Sequence, residues 1–347
     1  MKILISNDGY SAFFYIRTGL ARAFSACGHQ VSFWNIHDKP VFDAFDEFEP
    51  DLFLGQTYNT TDQVCRAITE RPHLKVIMKG ADWGYLIDET DLDKYGLLAV
   101  QQQETERILK LQQETGKPDF LHIHYHADWM YGTHGHWMDR GMPVYSILTG
   151  ADIFDYTGGQ HMPVFECDMA FVGGYWPYKA QVINPYLLRL CYDTDYRIKL
   201  YGNAHWPVPQ YCGMIDTQYV KHATASATIC PCLYEPHAGD LGFDMAERPF
   251  KLLSNKCFII SNYVESMHRL LPDSIVTAKS PEEFQDKVDY YLANPDERLP
   301  FIQRGYDEVM AKHTYFHRIQ QIFKLLKMED EADKCMTTLK HIIETKL

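Results

Sequence analysis

Short apolar runs alternate along most of the chain with longer stretches whose apolar positions recur every three or four residues. A strand buried on both faces reads as a continuous apolar run, and a helix covering it carries one apolar stripe, so the alternation predicts parallel sheets with crossover helices. The first series predicts strands at 2–6, 30–35, 51–54, 74–78, 120–124 and 143–147. The first crossover helix, over about 13–26, ends at Gly28, where a glycine can take the left-handed conformation that stops a helix. A longer helix over 94–115 ends at Gly116 and Pro118.

After Ile147 the rhythm breaks at a Gly-rich polar stretch, LTGADIFDYTGGQHMPVFEC, which reads as a linker. A second series follows, with strands expected at 169–172, 197–201, 227–230, 257–261 and 274–277. Between them lie helices over 178–190 and 280–293, the latter with Ser280 as N-cap, Pro281 in the first turn and Glu283 in the capping-box position. Two consecutive α/β series predict two Rossmann-like domains, 1–155 and 156–347. The last helical stretch, 316–346, comes too late to be a crossover and is expected to pack back toward the first domain.

A chain of 347 residues exceeds what one hydrophobic core usually serves, which agrees with two domains. Its composition, 46% apolar and 23% charged, is that of a folded globular protein. The net charge of -13 repels a phosphate backbone, so duplex nucleic acid is a disfavoured partner. Nine cysteines without a C-x-x-C pair read as reduced, mostly buried thiols. The start, MKILISNDGY, reads as a strand rather than a signal peptide, and no apolar run reaches membrane-spanning length, so a cytoplasmic protein with no membrane span is expected.

The densest polar cluster is PDFLHIHYHADW. Strand periodicity would put His122, His124 and His126 on one face, with Asp128 just beyond. Three in-line histidines span too much strand to close easily on one metal ion, because zinc sites draw ligands from several elements. A role at the crevice edge, on a hydroxyl or sugar, is the alternative. Gly-Ala-Asp occurs twice just past a strand, ending in Asp82 and Asp152, and the strand ends of open α/β sheets face the ligand crevice. Asn7, Asp8, Gly9 and Tyr10, then Asp82 and Trp83, and the stretch 131–137 are polar and aromatic enough to hold an acceptor.

In the second half, Gly173 and Gly174 follow a strand and permit close approach of backbone to a ligand, while the next helix begins near Tyr178 and carries Lys179. Gly202 repeats the device. The loop from Glu235 through His237, Gly239 and Asp240 joins a strand to a helix, as phosphate- and sugar-closing loops do. Pro249 belongs in the first turn of a helix, which places Glu247 and Arg248 at its start: an acid able to accept ribose hydroxyls and a cation able to grip phosphate.

These stretches resemble the CgeB-like, spore-maturation branch of the GT-B glycosyltransferases (glycosyl transferases group 1). The likeness is carried by FVGGYWPYK at 171–179, IKLYG at 198–202, ERPFKLL at 247–253 and the segment from Ser280 through His313-Thr314-Tyr315 to Arg318. In the first half, Asp119 to His124 followed by Asp128-Trp129 is similar to a retaining GT-B motif, which implies that His124 or His126 sits by the anomeric carbon. The resemblance implies an α/β GT-B fold with two domains facing a central cleft, a UDP- or GDP-sugar donor, no required metal, and transfer to a glycan or small molecule. Viral enzymes that glycosylate modified DNA bases share the architecture, which makes such a base the second acceptor class. A nucleotide-sugar epimerase and a nucleotide-binding protein without turnover are the alternatives. The chain departs from the family at Lys251, where relatives have glutamate, and at Asn255-Lys256, where they have a small residue and glycine.

Overall fold

The computed structural model describes residues 1–7, 12–80 and 98–346. The chain divides into two compact units, 1–148 with 316–342 and 149–315 with 343–347. The first division falls at Leu148 rather than at residue 155, because Ala151 is already part of the second unit: its N–H donates to His313 O at 2.8 Å and its carbonyl accepts from Tyr315 N at 3.1 Å. Gly150 lies so close to this backbone that an added Cβ would meet Thr314 at 2.9 Å.

The first unit holds a six-stranded sheet in the order β2-β1-β3-β4-β5-β6. Its strands are β1 (Lys2–Ser6), β2 (Gln30–Trp34), β3 (Leu52–Gln56), β4 (Lys75–Lys79), β5 (Phe120–Ile123) and β6 (Val144–Ser146), and every pairing is parallel. The central strands are buried on both faces, as the continuous apolar runs demand: Ile3, Leu52, Val76, Ile77 and Leu121 are all fully buried. Helix Ala12–Ala26 ends at Gly28, whose φ of +82° is the left-handed stop expected from the sequence. The long helix begins, within the described residues, at Leu98 and ends at Thr115.

The second unit holds a five-stranded parallel sheet in the order β11-β10-β9-β7-β8. The strands are β7 (Cys167–Val172), β8 (Ile198–Tyr201), β9 (Ala227–Cys232), β10 (Ile259–Asn262) and β11 (Val276–Ala278). Its core includes Met169, Phe171, Leu200, Trp206, Ile229 and Ile260. Ser280 caps the helix Pro281–Ala293 by accepting from Glu283 N at 3.1 Å, and Glu283 reaches back to Lys279 N at 2.7 Å. This is the reciprocal arrangement that the capping-box sequence predicts, except that the backbone donor to Glu283 is Lys279 N, one residue before the N-cap.

Two helices differ from expectation. The 178–190 helix is α-helical only over Pro177–Ile183 and continues as a π segment, Asn184–Leu188. Pro185 inside that segment has no N–H to give to an α-helical ladder, which accounts for the changed register. The terminal stretch is two helices, Tyr315–Leu325 and Glu329–Lys346, separated where Lys327 takes a φ of +59°.

Candidate donor site in the second unit

The exits of β7 and β8 are built for close approach. A Cβ on Gly202 would lie 2.2 Å from Gly173 O, and one on Gly173 would lie 2.8 Å from Arg248 Nη2. Trp206 Nε1 donates to Gly173 O at 3.1 Å, and the Tyr211 hydroxyl donates to Gly202 O at 2.8 Å. These bonds hold both glycines in place, and the missing side chain of Gly173 is the space that the Arg248 guanidinium occupies. Gly174 packs against Trp176, which a Cβ would meet at 2.7 Å.

Over this floor two cations converge. Phe171, on β7, carries Arg248 above its ring at 4.2 Å and Lys179 Nζ at 5.7 Å; Lys179 is also 4.9 Å from the Trp176 ring. Lys179 is 7% exposed, and burial together with the Arg248 charge lowers its pKa to about 7. Burial lowers the Arg248 pKa too. The buried Nη1 of Arg248 makes no hydrogen bond among the described residues. Glu235 is the nearby carboxylate that acts on both cations, and the Cys232 thiol beneath them is pushed up to about 11 by burial. The Tyr234 hydroxyl is buried and likewise without a partner among the described residues. Two buried cations and an unsatisfied donor are costly to keep in an empty site, and an anion arriving there offsets that cost.

Glu235 precedes the helix Pro236–Leu241. His237 stacks on Tyr178 with ring centroids 5.9 Å apart and an interplanar angle of 9°, and its Nδ1 lies 3.1 Å from the Tyr178 hydroxyl. His237 Nε2 is 3.7 Å from Asp244. The loop is therefore tied to the helix that carries Lys179. Gly239 borders open space and Asp240 is exposed, so neither meets the cation pair in this arrangement.

Glu247 is directed elsewhere. It accepts from the Tyr315 hydroxyl at 2.5 Å and pairs with Lys251 one helical turn on, whose Nζ lies 4.3 Å from the Tyr156 ring. Burial raises its pKa while Lys251 lowers it, and the Asp152 charge opposes ionisation. The Lys251 departure thus has a structural counterpart: the carboxylate stands one turn earlier and the lysine neutralises it. Asp152 is buried and accepts from Phe154 N at 3.1 Å. Asn255 accepts from Gly159 N at 2.8 Å and donates to Lys221 O at 2.7 Å, while Lys256 takes a φ of +56°, the backbone state that the family's glycine favours.

In the first unit, β5 ends at Ile123, so His122 lies on the strand and His124 directly after it, with ring centroids 5.5 Å apart. His126 lies past the strand and caps the short turn Ala127–Trp129, accepting from Asp128 N at 3.2 Å; its ring is 3.6 Å from the Asp128 carboxylate. The expected three-histidine face is therefore two histidines plus a cap. Burial and Lys79 lower the His122 pKa to about 3, and burial, Lys79, His122, Arg17 and Arg318 hold His124 well below the usual value. Both rings stay neutral at physiological pH. Arg17 and Lys79 belong to no recognisable motif in the sequence, and Arg318, which ends one of the family stretches, carries no sign there of facing a histidine; the one hint is a lysine closing the apolar run at β4. Asp8, Gly9, Tyr10, Asp82 and Trp83 lie outside the described residues. Among the described residues no group of three His, Cys, Asp or Glu is placed to hold a metal ion, and no helix is long and apolar enough to cross a membrane.

Two parallel-sheet Rossmann-like units in this order are those of the GT-B class, and comparison with known proteins gives the same class. Residues 185–324 match a family model described as glycosyl transferase-like. A glycosyltransferase from Rickettsia africae ESF-5 superposes with a TM-score of 0.64 at 10% identity, covering 94% of this chain and 98% of that one. Sucrose-phosphate synthase from Thermosynechococcus elongatus gives 0.62 at 12% identity, with 94% and 98% covered. T4 phage BGT in complex with its UDP-glucose substrate gives 0.58 at 14% identity, with 98% and 99% covered. No curated protein matches in sequence. The chain has a GT-B fold, and within it residues 185–324 are similar to a glycosyl transferase-like family.

Proposed function

We propose that the protein transfers a sugar from a UDP- or GDP-sugar, with Arg248 and Lys179 holding the donor's diphosphate. The observation that carries this reading is the buried Arg248 guanidinium, with Nη1 unsatisfied among the described residues, beside a second buried cation on the same ring. In the transfer the bond from the anomeric carbon to the diphosphate oxygen breaks, and its electron pair leaves on the diphosphate. The acceptor oxygen bonds that carbon and gives its proton to the departing diphosphate oxygen. Cations fixed where the leaving charge gathers stabilise it without reorganising, the largest contribution in many such sites. With protein cations in that role, the reaction is read as metal-independent.

Gly173, Gly174 and Gly202 give the phosphates access to the backbone, and Glu235 and His237 border the donor. His124, neutral through burial, and His126 with Asp128 are assigned to positioning of the sugar and acceptor, with retention of anomeric configuration. The CgeB-like assignment rests on the motif stretches given above. Glu247, held by Lys251 and Tyr315, favours a second reading, a protein that binds the nucleotide without turnover, because a carboxylate so engaged is less available to a ribose. Incubation with a panel of UDP- and GDP-sugars, with released nucleotide as readout and UDP and GDP affinities by calorimetry, separates the two. Release with micromolar binding supports transfer, binding alone supports the second reading, and neither overturns both.

A further inference from the structure

A cavity of about 570 Å³ lies in the first unit against β1 and the edge strand β2, apart from the cation pair of the second. Its volume is that of a small-molecule site. Phe14, Phe33, Trp34 and Phe48 give it ring surfaces, and Asn7, Ser32, Asn35 and Asp38 give it polar ones. Asn7, Asn35 and Asp38 stand beyond the C-terminal ends of β1 and β2, the end at which open α/β sheets take their ligands.

The polar groups are held in advance. Asn35 Nδ2 donates to Asp38 Oδ2 at 2.8 Å, and Asn35 Oδ1 accepts from His37 N at 3.0 Å. Trp34 Nε1 donates to Lys39 O at 2.8 Å, which fixes the loop that carries Asp38, and Lys39 pairs with Glu47 across the lining. With that pair neutral, Asp38 leaves the lining with one net negative charge. Phe33 remains 44% exposed, a ring face kept open to water on a strand.

These features select a ligand chemistry. A phosphate-bearing ligand would meet Asp38 in a chain of net charge -13. A purely apolar one would strip water from Asp38, Asn35 and Ser32 without replacing its hydrogen bonds. A sugar ring carries hydroxyls for an amide and carboxylate pair and an apolar C–H face for an aromatic ring. We infer that this cavity binds a neutral saccharide. That the saccharide is the acceptor rests on the transfer reaction proposed above; that it binds does not.

Saturation-transfer NMR and calorimetry on the full chain, with glucose, galactose, N-acetylglucosamine, maltose and cellobiose, test the site against Phe33→Ala and Asp38→Ala. Both side chains are exposed, so the variants should melt with the wild type. At least one sugar is expected to bind, each variant to weaken it by about tenfold or more through lost stacking or hydrogen bonding, and UDP affinity to stay unchanged. The inference is overturned if no sugar binds a wild-type protein that still binds UDP, or if both variants bind sugar as before. It is also overturned if a single-stranded oligonucleotide bearing 5-hydroxymethylcytosine binds there and the sugars do not. Sugar binding lost in the variants, in a protein that binds neither UDP nor GDP, would uphold the saccharide site while ending the transfer reading.

Discussion

Lys179 and Arg248 hold their charged ends over one ring, Phe171, at 5.7 and 4.2 Å. Burial, and after it the Arg248 charge, lowers the Lys179 pKa to about 7. Its folded pKa lies below the unfolded one, so the unfolded chain binds more protons between about 7 and 10.5 and the empty protein gains stability as pH rises through that window. Lys179→Met removes this cost. The empty variant should melt about 2 °C or more above wild type at pH 6.5 while binding UDP about tenfold or more weakly. Differential scanning fluorimetry with and without UDP checks both signs, and a variant that melts lower would contradict the assignment of Lys179 as a strained cation.

Nucleotide affinity should follow the same titration. A bound diphosphate needs the ammonium form, so UDP should bind more weakly at pH 8.5 than at pH 6, by several-fold, and the dependence should vanish in Lys179→Met. Calorimetry at the two pH values in buffers of differing ionisation heat would also detect the proton taken up on binding above pH 7.

Arg248 is placed to use its fork rather than its charge alone, since Nη2 fills the space over Gly173 and Nη1 is left to a ligand. Arg248→Lys keeps the charge and loses the fork, so kcat/KM for the active nucleotide sugar should fall about a hundredfold, close to the effect of Arg248→Ala. Gly173→Ala should mimic it by pushing the guanidinium aside. If the lysine variant kept most of the activity, Arg248 would be acting as a point charge and the fork reading would fail.

The strand series was readable because buried parallel strands leave unbroken apolar runs, and each predicted strand corresponds to one of β1 to β11 within a few residues. Periodicity says less about helices: Pro185 sits inside an apolar stripe, and its missing N–H turns that stretch into a π segment. Glycines after β7 and β8 flagged the site, yet the partner that makes Gly173 obligatory is Arg248, far along the chain. Phe171, which seats both cations, opens the FVGGYWPYK stretch, yet nothing in that stretch marks its ring as a cation seat. The chain likewise gave no sign that Glu247 would turn to Tyr315, because that contact depends on where the segment before Phe316 crosses the second unit.

Glu247 and Lys251 are a buried pair on successive turns, with side chains 10% and 15% exposed. Lys251→Ala would leave the carboxylate with Tyr315 alone, a loss of about 3 kcal/mol or more. The sign with pH follows from the raised pKa: protonated glutamate tolerates burial and ionised glutamate does not, so the loss should be larger at pH 8 than at pH 5. Adding Glu247→Gln to Lys251→Ala should recover much of it. Urea denaturation of the two variants at both pH values measures the coupling.

His122 and His124 make the acid side of the stability curve testable. Burial and the neighbouring cations keep His122 neutral down to about pH 3 and His124 well below its ordinary value, whereas both bind protons near 6.5 once unfolded. The unfolded chain therefore gains protons that the folded one refuses, and stability is lost as pH falls below 6.5. His122→Gln should flatten the fall between pH 6.5 and 5 by about one proton's slope and, by keeping a neutral polar side chain, leave UDP affinity unchanged. Neutral rings also predict no inflection from either histidine in the activity profile between pH 6 and 8. A proton-linked step in that range that disappears in His124→Gln would mean that the ring titrates in the working enzyme and would reassign it from positioning group to general base.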